Sequence, residues 1–444
     1  MDVPDVTPVQ PSTGFLRDPD KYVMVPANAR RRHPLMEQRV QKLAVVADTF
    51  PYNRVEMGSR DLGIVASGAA YQYAREAFPD ASFLKLVMSY PVPEGLVRRF
   101  AADVDKLFVV EELDPFLEEA IRLMWIPVVG KAFLPMVGEF NTEVVEEAGR
   151  CAGLLPAAAP AVAAPPPKLP ARPPALCPGC PHTALTFALR KLGYYRPMGK
   201  SLVDKQGRSL GPKKASGIII TSDIGCYTLA AYAPLLALDT CACMGASVGQ
   251  AQGLERAGVR NKIVAVIGDS TFMHSGITPL INAVYNQSKL TLIVLDNGTT
   301  AMTGHQGHPG TGVSASGKPA KRILIENIAR GSGVDDVHVL DAFNMAEIEA
   351  TLKRSIEIDE PSVLVVRGAC PLHMRVQGEP LVVVSDKCDG CSACLRLGCA
   401  ALVRDGDKVR IEANMCVGEA CNVCTDVCPQ RAIVPKREAT SLSK

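Results

Sequence analysis

Eight cysteines fall between Cys388 and Cys428 of this 444-residue chain. Thiols crowded this closely bind metal more often than they serve as scattered buried side chains. They form two groups: Cys388, Cys391, Cys394 and Cys399, then Cys416, Cys421, Cys424 and Cys428, with Pro429 after the last. A Cys-x2-Cys-x2-Cys run and a closing Cys-x3-Cys-Pro are spacings of iron–sulfur ligation. In that scheme the fourth cysteine of each group crosses to the other group's cluster. Two 4Fe-4S clusters are expected. One uses Cys388, Cys391, Cys394 and Cys428; the other uses Cys416, Cys421, Cys424 and Cys399. The second set departs from the pattern: four residues separate Cys416 from Cys421, and Cys399 comes one residue late without a following proline. Zinc is the competing chemistry, but it prefers isolated sets of four ligands.

A second set of residues suits a phosphorylated cofactor. The apolar run Ile263–Ile267 leads into Gly268-Asp269-Ser270, and Leu292–Leu295 leads into Asp296-Asn297-Gly298-Thr299. A Gly-Asp pair and an Asn about thirty residues later resemble the thiamine-diphosphate motif. The chemistry is coherent. Diphosphate needs a hard cation, and Mg²⁺ needs oxygen ligands. Asp269 offers a carboxylate and Asn297 an amide oxygen, while Gly268 is expected to let the diphosphate approach the backbone. His182, His274, His305 and His308 surround these motifs. His305 and His308 are the catalytic candidates, able to position a substrate carboxylate or shuttle protons. Hydrogen-bonded structural histidines are the equal alternative.

These residues need a scaffold that brings loops together. Leu62–Ser67, Phe83–Met88 and Leu107–Val110 read as strands, with helical character over Ala69–Phe78. Gly217–Thr221, Ile263–Ile267, Leu292–Leu295 and Val363–Val366 are β-branched runs suited to strands buried on both faces. The alternation predicts α/β folds with parallel sheets. Motifs that follow strands then sit at the carboxyl edge, where open α/β sheets bind ligands. Residues 1–150 read as an accessory domain and 151–175, rich in alanine and proline, as a linker. Residues 176–380 read as the thiamine-diphosphate-binding domain and 381–444 as a small, bacterial-ferredoxin-like cluster domain. The pair Glu111-Glu112 reads as ending a strand and capping a helix.

Composition narrows the partners. Lys+Arg at 48 against Asp+Glu at 46 gives a net charge of +2. That balance creates no field for nucleic acid. No apolar run approaches the roughly 20 residues of a membrane span. The first residues lack the layout of a signal peptide, so a cytoplasmic location is expected. Cys151, Cys241 and Cys243 belong to no motif and read as small buried hydrophobes.

The segments GDSTFMHSGITPLINAVYNQ, LDNGTTAMTGHQGHPGTG, CPGCPH and VEELDPFLEEAI closely resemble the large subunit of indolepyruvate:ferredoxin oxidoreductases. The likeness runs from about Lys21 to Val434. It implies oxidative decarboxylation of an arylpyruvate to acyl-CoA and CO₂, with coenzyme A as co-substrate and ferredoxin as electron acceptor. It implies that the Thr299 carbonyl is a third magnesium ligand and that residues 1–150 are a transketolase-C-terminal-like domain. It also implies a proximal cluster on Cys177, Cys180, Cys226 and Cys370, for which a zinc-bound or cofactor-free Cys-x2-Cys is the other reading.

Members of this family begin with a pyrimidine-binding domain that is not recognisable here. The resemblance therefore predicts a chain that needs partners: a subunit supplying that domain, if the gene is split and the chain is not a fragment, and a small β subunit. Other readings are an electron-transfer subunit with a non-catalytic thiamine domain, a non-oxidative thiamine decarboxylase, or an oxidoreductase for another 2-oxoacid.

Overall fold

The computed structural model describes residues 14–157, 169, 173–192 and 217–442. Most of the expected linker and the first 13 residues lie outside them. The chain forms two compact units, Met1–Pro167 and Lys168–Lys444.

The first unit holds β1 (Arg54–Glu56), β2 (Ser59–Ser67), β3 (Ala81–Leu86) and β4 (Leu107–Val110), in the order β1-β3-β2-β4. β2 runs parallel to β3 and β4, and β1 pairs antiparallel at the edge. β4 falls on its expected residues, and β3 starts and ends two residues earlier than its apolar run suggests. Glu111 accepts hydrogen bonds from the backbone N–H groups of Leu117 (2.8 Å) and Glu118 (2.9 Å). It thus caps the helix Phe116–Leu123 as expected. Glu112 accepts from the Phe140 amide at 2.8 Å.

The second unit is built on six parallel strands: β5 (Ile219–Ser222), β6 (Thr240–Cys241), β7 (Ile263–Gly268), β8 (Leu290–Asp296), β9 (Asp336–Asp341) and β10 (Ser362–Arg367). Their order is β6-β5-β7-β8-β10-β9. All seven residues of β8 are buried, as the β-branched composition requires of a central strand. Successive side chains serve opposite faces. Val264, Val266, Ile293, Leu295, Leu364 and Val366 enter one core. Ile263, Ala265, Ile267, Leu292, Val294 and Val365 enter the other.

The cysteine-rich segment packs on the first of these faces. β11 (Leu381–Val383) pairs with β14 (Ile433–Pro435), and β12 (Leu402–Asp405) with β13 (Lys408–Ile411). Leu381, Leu397, Leu402, Val409, Val423 and Ile433 share one core with Ala184 and Leu185 of the helix His182–Leu192 and with the sheet. The change in sequence character near residue 381 is therefore not a break in packing. The three motif-free cysteines correct their expectation: Cys151, Cys241 and Cys243 are exposed. Cys151 ends the helix Thr142–Cys151, and Cys241 ends an edge strand of two residues. Neither position gives the side chain a core to enter.

Candidate active site

The carboxyl ends of β5, β7, β8 and β10 lead directly into Asp223, Asp269, Asn297 and Gly368. β6 flanks β5 on one side and β7 on the other, so strand order reverses there and a crevice opens beside β5. Buried Asp269 joins the two halves of the motif. Its Oδ1 accepts from the Ser270 amide at 2.7 Å and its Oδ2 from the Gly298 amide at 2.8 Å. The Asn297 Oδ1 accepts from the Thr299 amide at 3.2 Å, and the Thr300 hydroxyl donates to Ser270 Oγ at 2.8 Å. One cavity is lined by His182, Tyr227, Ser270, Thr271, Asn297 and Thr299, together with Gly268 and Asp269. Carboxylate and amide oxygens meeting at such a rim are the donor set that Mg²⁺–diphosphate requires.

The two candidate histidines separate. The His308 side chain is wholly buried beside Asp269. Its Nε2 lies 3.1 Å from Asp269 Oδ2 without hydrogen-bond alignment, and its Nδ1 accepts from the Gly310 amide at 3.1 Å. His305 stacks on His373, with ring centroids 5.2 Å apart and planes 20° apart. Both line a second cavity, which shares Asn297 and Thr299 with the first and includes Arg322. Arg367, also on its wall, is held by Asp296 at 2.7 Å and Glu326 at 2.8 Å. His274 sits in a π-helical turn, Phe272–Gly276, is exposed, and lines neither cavity.

Sequence reasoning missed Asp223 and Tyr227. The Tyr227 hydroxyl donates to Asp223 Oδ1 and accepts from the Gly268 amide at 2.8 Å. Asp223 Oδ2 accepts from the Gly245 amide at 3.1 Å. Burial pushes the Asp223 carboxyl up to about 6. It also raises the Tyr227 phenol, with Asp223 adding to the effect. A β-carbon on Gly268 would stand 3.1 Å from the Tyr227 ring. Gly268 thus approaches the Tyr227 ring closely and also lines the cavity. Neighbouring His182 is pulled down to about 4 by burial. The available signal was position: both missed residues flank Cys226 immediately after a strand.

None of the 15 cysteines forms a disulfide, and twelve gather as three sets. Burial raises Cys180, and Cys177, Cys226 and Cys370 raise it further by their proximity. Cys226 is raised first by burial and then by Cys177 and Cys370. Cys388, Cys391, Cys394 and Cys428 line one cavity, and Cys399, Cys416, Cys421 and Cys424 another. These are the two crossed sets expected from spacing. The second cavity also touches Pro178 and Gly179, within the Cys177–Cys180 loop. Gly179 has φ +74°, and a β-carbon there would meet Val417 at 2.5 Å. The Ala432 amide donates to Cys428 Sγ at 3.2 Å and the Gly418 amide to Cys416 Sγ at 3.4 Å. Among the described residues, no three His, Cys, Asp or Glu side chains converge tightly enough for a single metal ion, nor is any helix long and apolar enough to cross a membrane.

Residues 223–366 match the family of thiamine pyrophosphate enzymes, C-terminal TPP binding domain. Those bounds begin at Asp223 and end inside β10, enclosing Asp269 and Asn297. A solved 2-oxoglutarate:ferredoxin oxidoreductase from Magnetococcus marinus is 16% identical, covering 44% of this chain and 64% of its own, with a TM-score of 0.36. Indolepyruvate oxidoreductase subunit IorA of Archaeoglobus fulgidus is 39% identical over 443 residues, covering 95% of this chain and 67% of its own length. The subunit of the same name from Methanothermobacter thermautotrophicus is 39% identical over 446 residues, covering 96% and 69%. Identity at this level over almost the whole chain places it in the family of indolepyruvate oxidoreductase subunit IorA.

Proposed function

We propose that this chain is the thiamine- and cluster-bearing subunit of an indolepyruvate:ferredoxin oxidoreductase. The reaction converts an arylpyruvate, coenzyme A and two oxidised ferredoxins into acyl-CoA, CO₂, a proton and two reduced ferredoxins. Asp269, Asn297 and the Thr299 carbonyl would hold Mg²⁺, with Ser270 and Gly268 beside the diphosphate. The Ser270 and Gly298 amides fix the Asp269 carboxylate. Bound thiamine diphosphate supplies carbanion chemistry at the keto carbon that no side chain offers. The observation that carries the reading is the 2.8 Å contact between Asp269 and the Gly298 amide. It unites both motif halves on the rim that also carries Cys226 and Cys370.

Three 4Fe-4S clusters are proposed, on the three cysteine sets. Electrons would pass from the Cys177/Cys180/Cys226/Cys370 set to the adjoining Cys399/Cys416/Cys421/Cys424 set. They would leave through the third set, whose Cys391 is exposed. His305 would meet substrate from the second cavity, and His308 would steady Asp269. A small partner subunit and a soluble, cytoplasmic setting complete the proposal. The test is viologen reduction dependent on 2-oxoacid and coenzyme A, by the chain assembled with its partner subunits. Indolepyruvate and phenylpyruvate should outpace pyruvate and 2-oxoisovalerate. An assembly that contains thiamine diphosphate but reduces no viologen with any of the four refutes the proposal.

A further inference from the structure

His182 stands where the two kinds of cofactor loop meet. It follows Cys180 by two residues and opens the 11-residue helix His182–Leu192. Its ring sits edge-on against Tyr227, with centroids 5.8 Å apart and planes at 79°. Tyr227 in turn follows Cys226 and holds the Gly268 amide. His182 is only 3% exposed, and its Nδ1 is buried without a hydrogen-bond partner. Buried polar atoms are rarely left so, because an unmet group costs about 1–3 kcal/mol. Among the described residues with such an orphaned atom, His182 alone lines the cavity bounded by Ser270, Thr271 and Asn297. The first turn of a helix also favours an anion.

We infer that His182 donates a hydrogen bond to a phosphate oxygen of the bound diphosphate, an inference that rests on the thiamine reading of this cavity. The residue then serves both loops. Its backbone continues the Cys177–Cys180 segment, and its side chain meets the ligand of the Asp269 loop. Tyr227 is the positioning residue that keeps the imidazole edge turned to the cavity.

The experiment is calorimetric titration of the full chain with Mg²⁺ and thiamine diphosphate, and separately with Mg²⁺ and inorganic pyrophosphate. His182→Leu keeps apolar bulk against Tyr227 but has no N–H. His182→Asn places an N–H near the position of Nδ1. His182→Leu should lose about ten- to a hundredfold in affinity for both probes, the range of one hydrogen bond to a charged group. His182→Asn should stay within about threefold of the wild type, since that variant keeps the one bond of this strength. Iron content should match the wild type in both, since no cysteine is altered. His182→Leu binding like the wild type overturns the inference. So does an equal loss in both variants accompanied by lost iron, which would mark a structural role. Asp269→Ala separates the two levels. If it binds as the wild type does, or if the wild type binds neither probe, the thiamine reading itself fails. If it loses binding while His182→Leu does not, only the role of His182 falls.

Discussion

Tyr227→Phe removes one oxygen from the centre of the site and leaves the ring in place. The ring's contact with His182 and its close approach to Gly268 survive, so no cavity larger than a hydroxyl forms. The hydroxyl's hydrogen bonds disappear, among them a long one to the Ile224 carbonyl at 3.4 Å. The Gly268 amide loses the acceptor at 2.8 Å, and Asp223 Oδ1 loses its donor. An orphaned buried amide costs about 1–3 kcal/mol. Asp223 recovers part of its loss, because its carboxyl already sits at about 6 and protonates more readily once the phenol is gone. The sum is about 2–3 kcal/mol, concentrated on the turn that carries Asp269. At 1.4 kcal/mol per decade, local opening there should rise about thirty- to a hundredfold. Amide hydrogen exchange of a peptide spanning residues 263–272 reads it directly. Exchange there should accelerate by that factor, while β10 (Ser362–Arg367) stays near the wild-type rate. A Gly268 amide that exchanges within about threefold of wild type would show that the hydroxyl does not hold the turn, a factor far below what these energies require.

Two further outcomes follow from named groups. Anaerobically prepared protein should hold about twelve iron atoms per chain, and Cys177→Ser about eight; an iron count unchanged by that substitution would falsify the proximal assignment. Asp223 and His182 couple stability to pH with opposite signs. The folded pKa of Asp223 is raised to about 6, so its contribution is full below about 4 and is lost as pH rises through 6. The folded pKa of His182 is lowered to about 4, so its contribution is present above about 6.5 and is lost as pH falls through that window. Relative to the wild type, Asp223→Asn should therefore gain thermal midpoint between pH 4 and 6. A difference that is constant across that range would contradict the burial cost assigned to the carboxylate.

What the sequence disclosed depended on whether a residue's role repeats along the chain. β-branched runs are periodic, so β4, β7, β8 and β10 were legible to within two residues. β9 was not, because an edge strand alternates valine with polar groups and looks like loop between helices. The cysteine sets were legible because spacing carries their pairing. The crossing of Cys399 and Cys428 needed only the order of thiols along the chain, and each cavity holds the four expected. Asp223 and Tyr227 carry no such signal. A single aspartate and a single tyrosine acquire meaning only when β5 and β7 stand side by side and bring Tyr227 to the Gly268 amide. His308 was legible as belonging to the site, but its side matters more than its spacing. It approaches Asp269 from within the protein, while His305, three residues earlier, faces a cavity with His373. The exposed positions of Cys151, Cys241 and Cys243 were misjudged for the same reason: type predicts burial only on average.

The rim is organised so that the loops bearing cysteine also bear contacts to the Asp269–Asn297 motif. Cys226 is followed by Tyr227, which holds the Gly268 amide beside Asp269. The Cys370 amide donates to the Asn297 carbonyl at 3.2 Å, so the last cysteine of the proximal set is bonded to the backbone of the Asn297 motif. Two residues after Cys180, His182 lines the cavity bounded by Asp269 and Asn297. A displacement of any of the three loops therefore disturbs both the proximal cysteine set and the Asp269–Asn297 motif, and a parallel sheet explains why. Its carboxyl edge offers few loop origins within hydrogen-bonding distance of one another, and β5, β7, β8 and β10 supply nearly all of them here. Burial on both sheet faces fixes where those loops begin. The shared core beneath them, from Leu185 through Val366 to Leu402 and Val423, sets the cysteine-rich segment against the same edge. The proximity of the proximal cysteine set to the Asp269–Asn297 motif is then a consequence of packing, because the loops that carry one are bonded to the loops that carry the other.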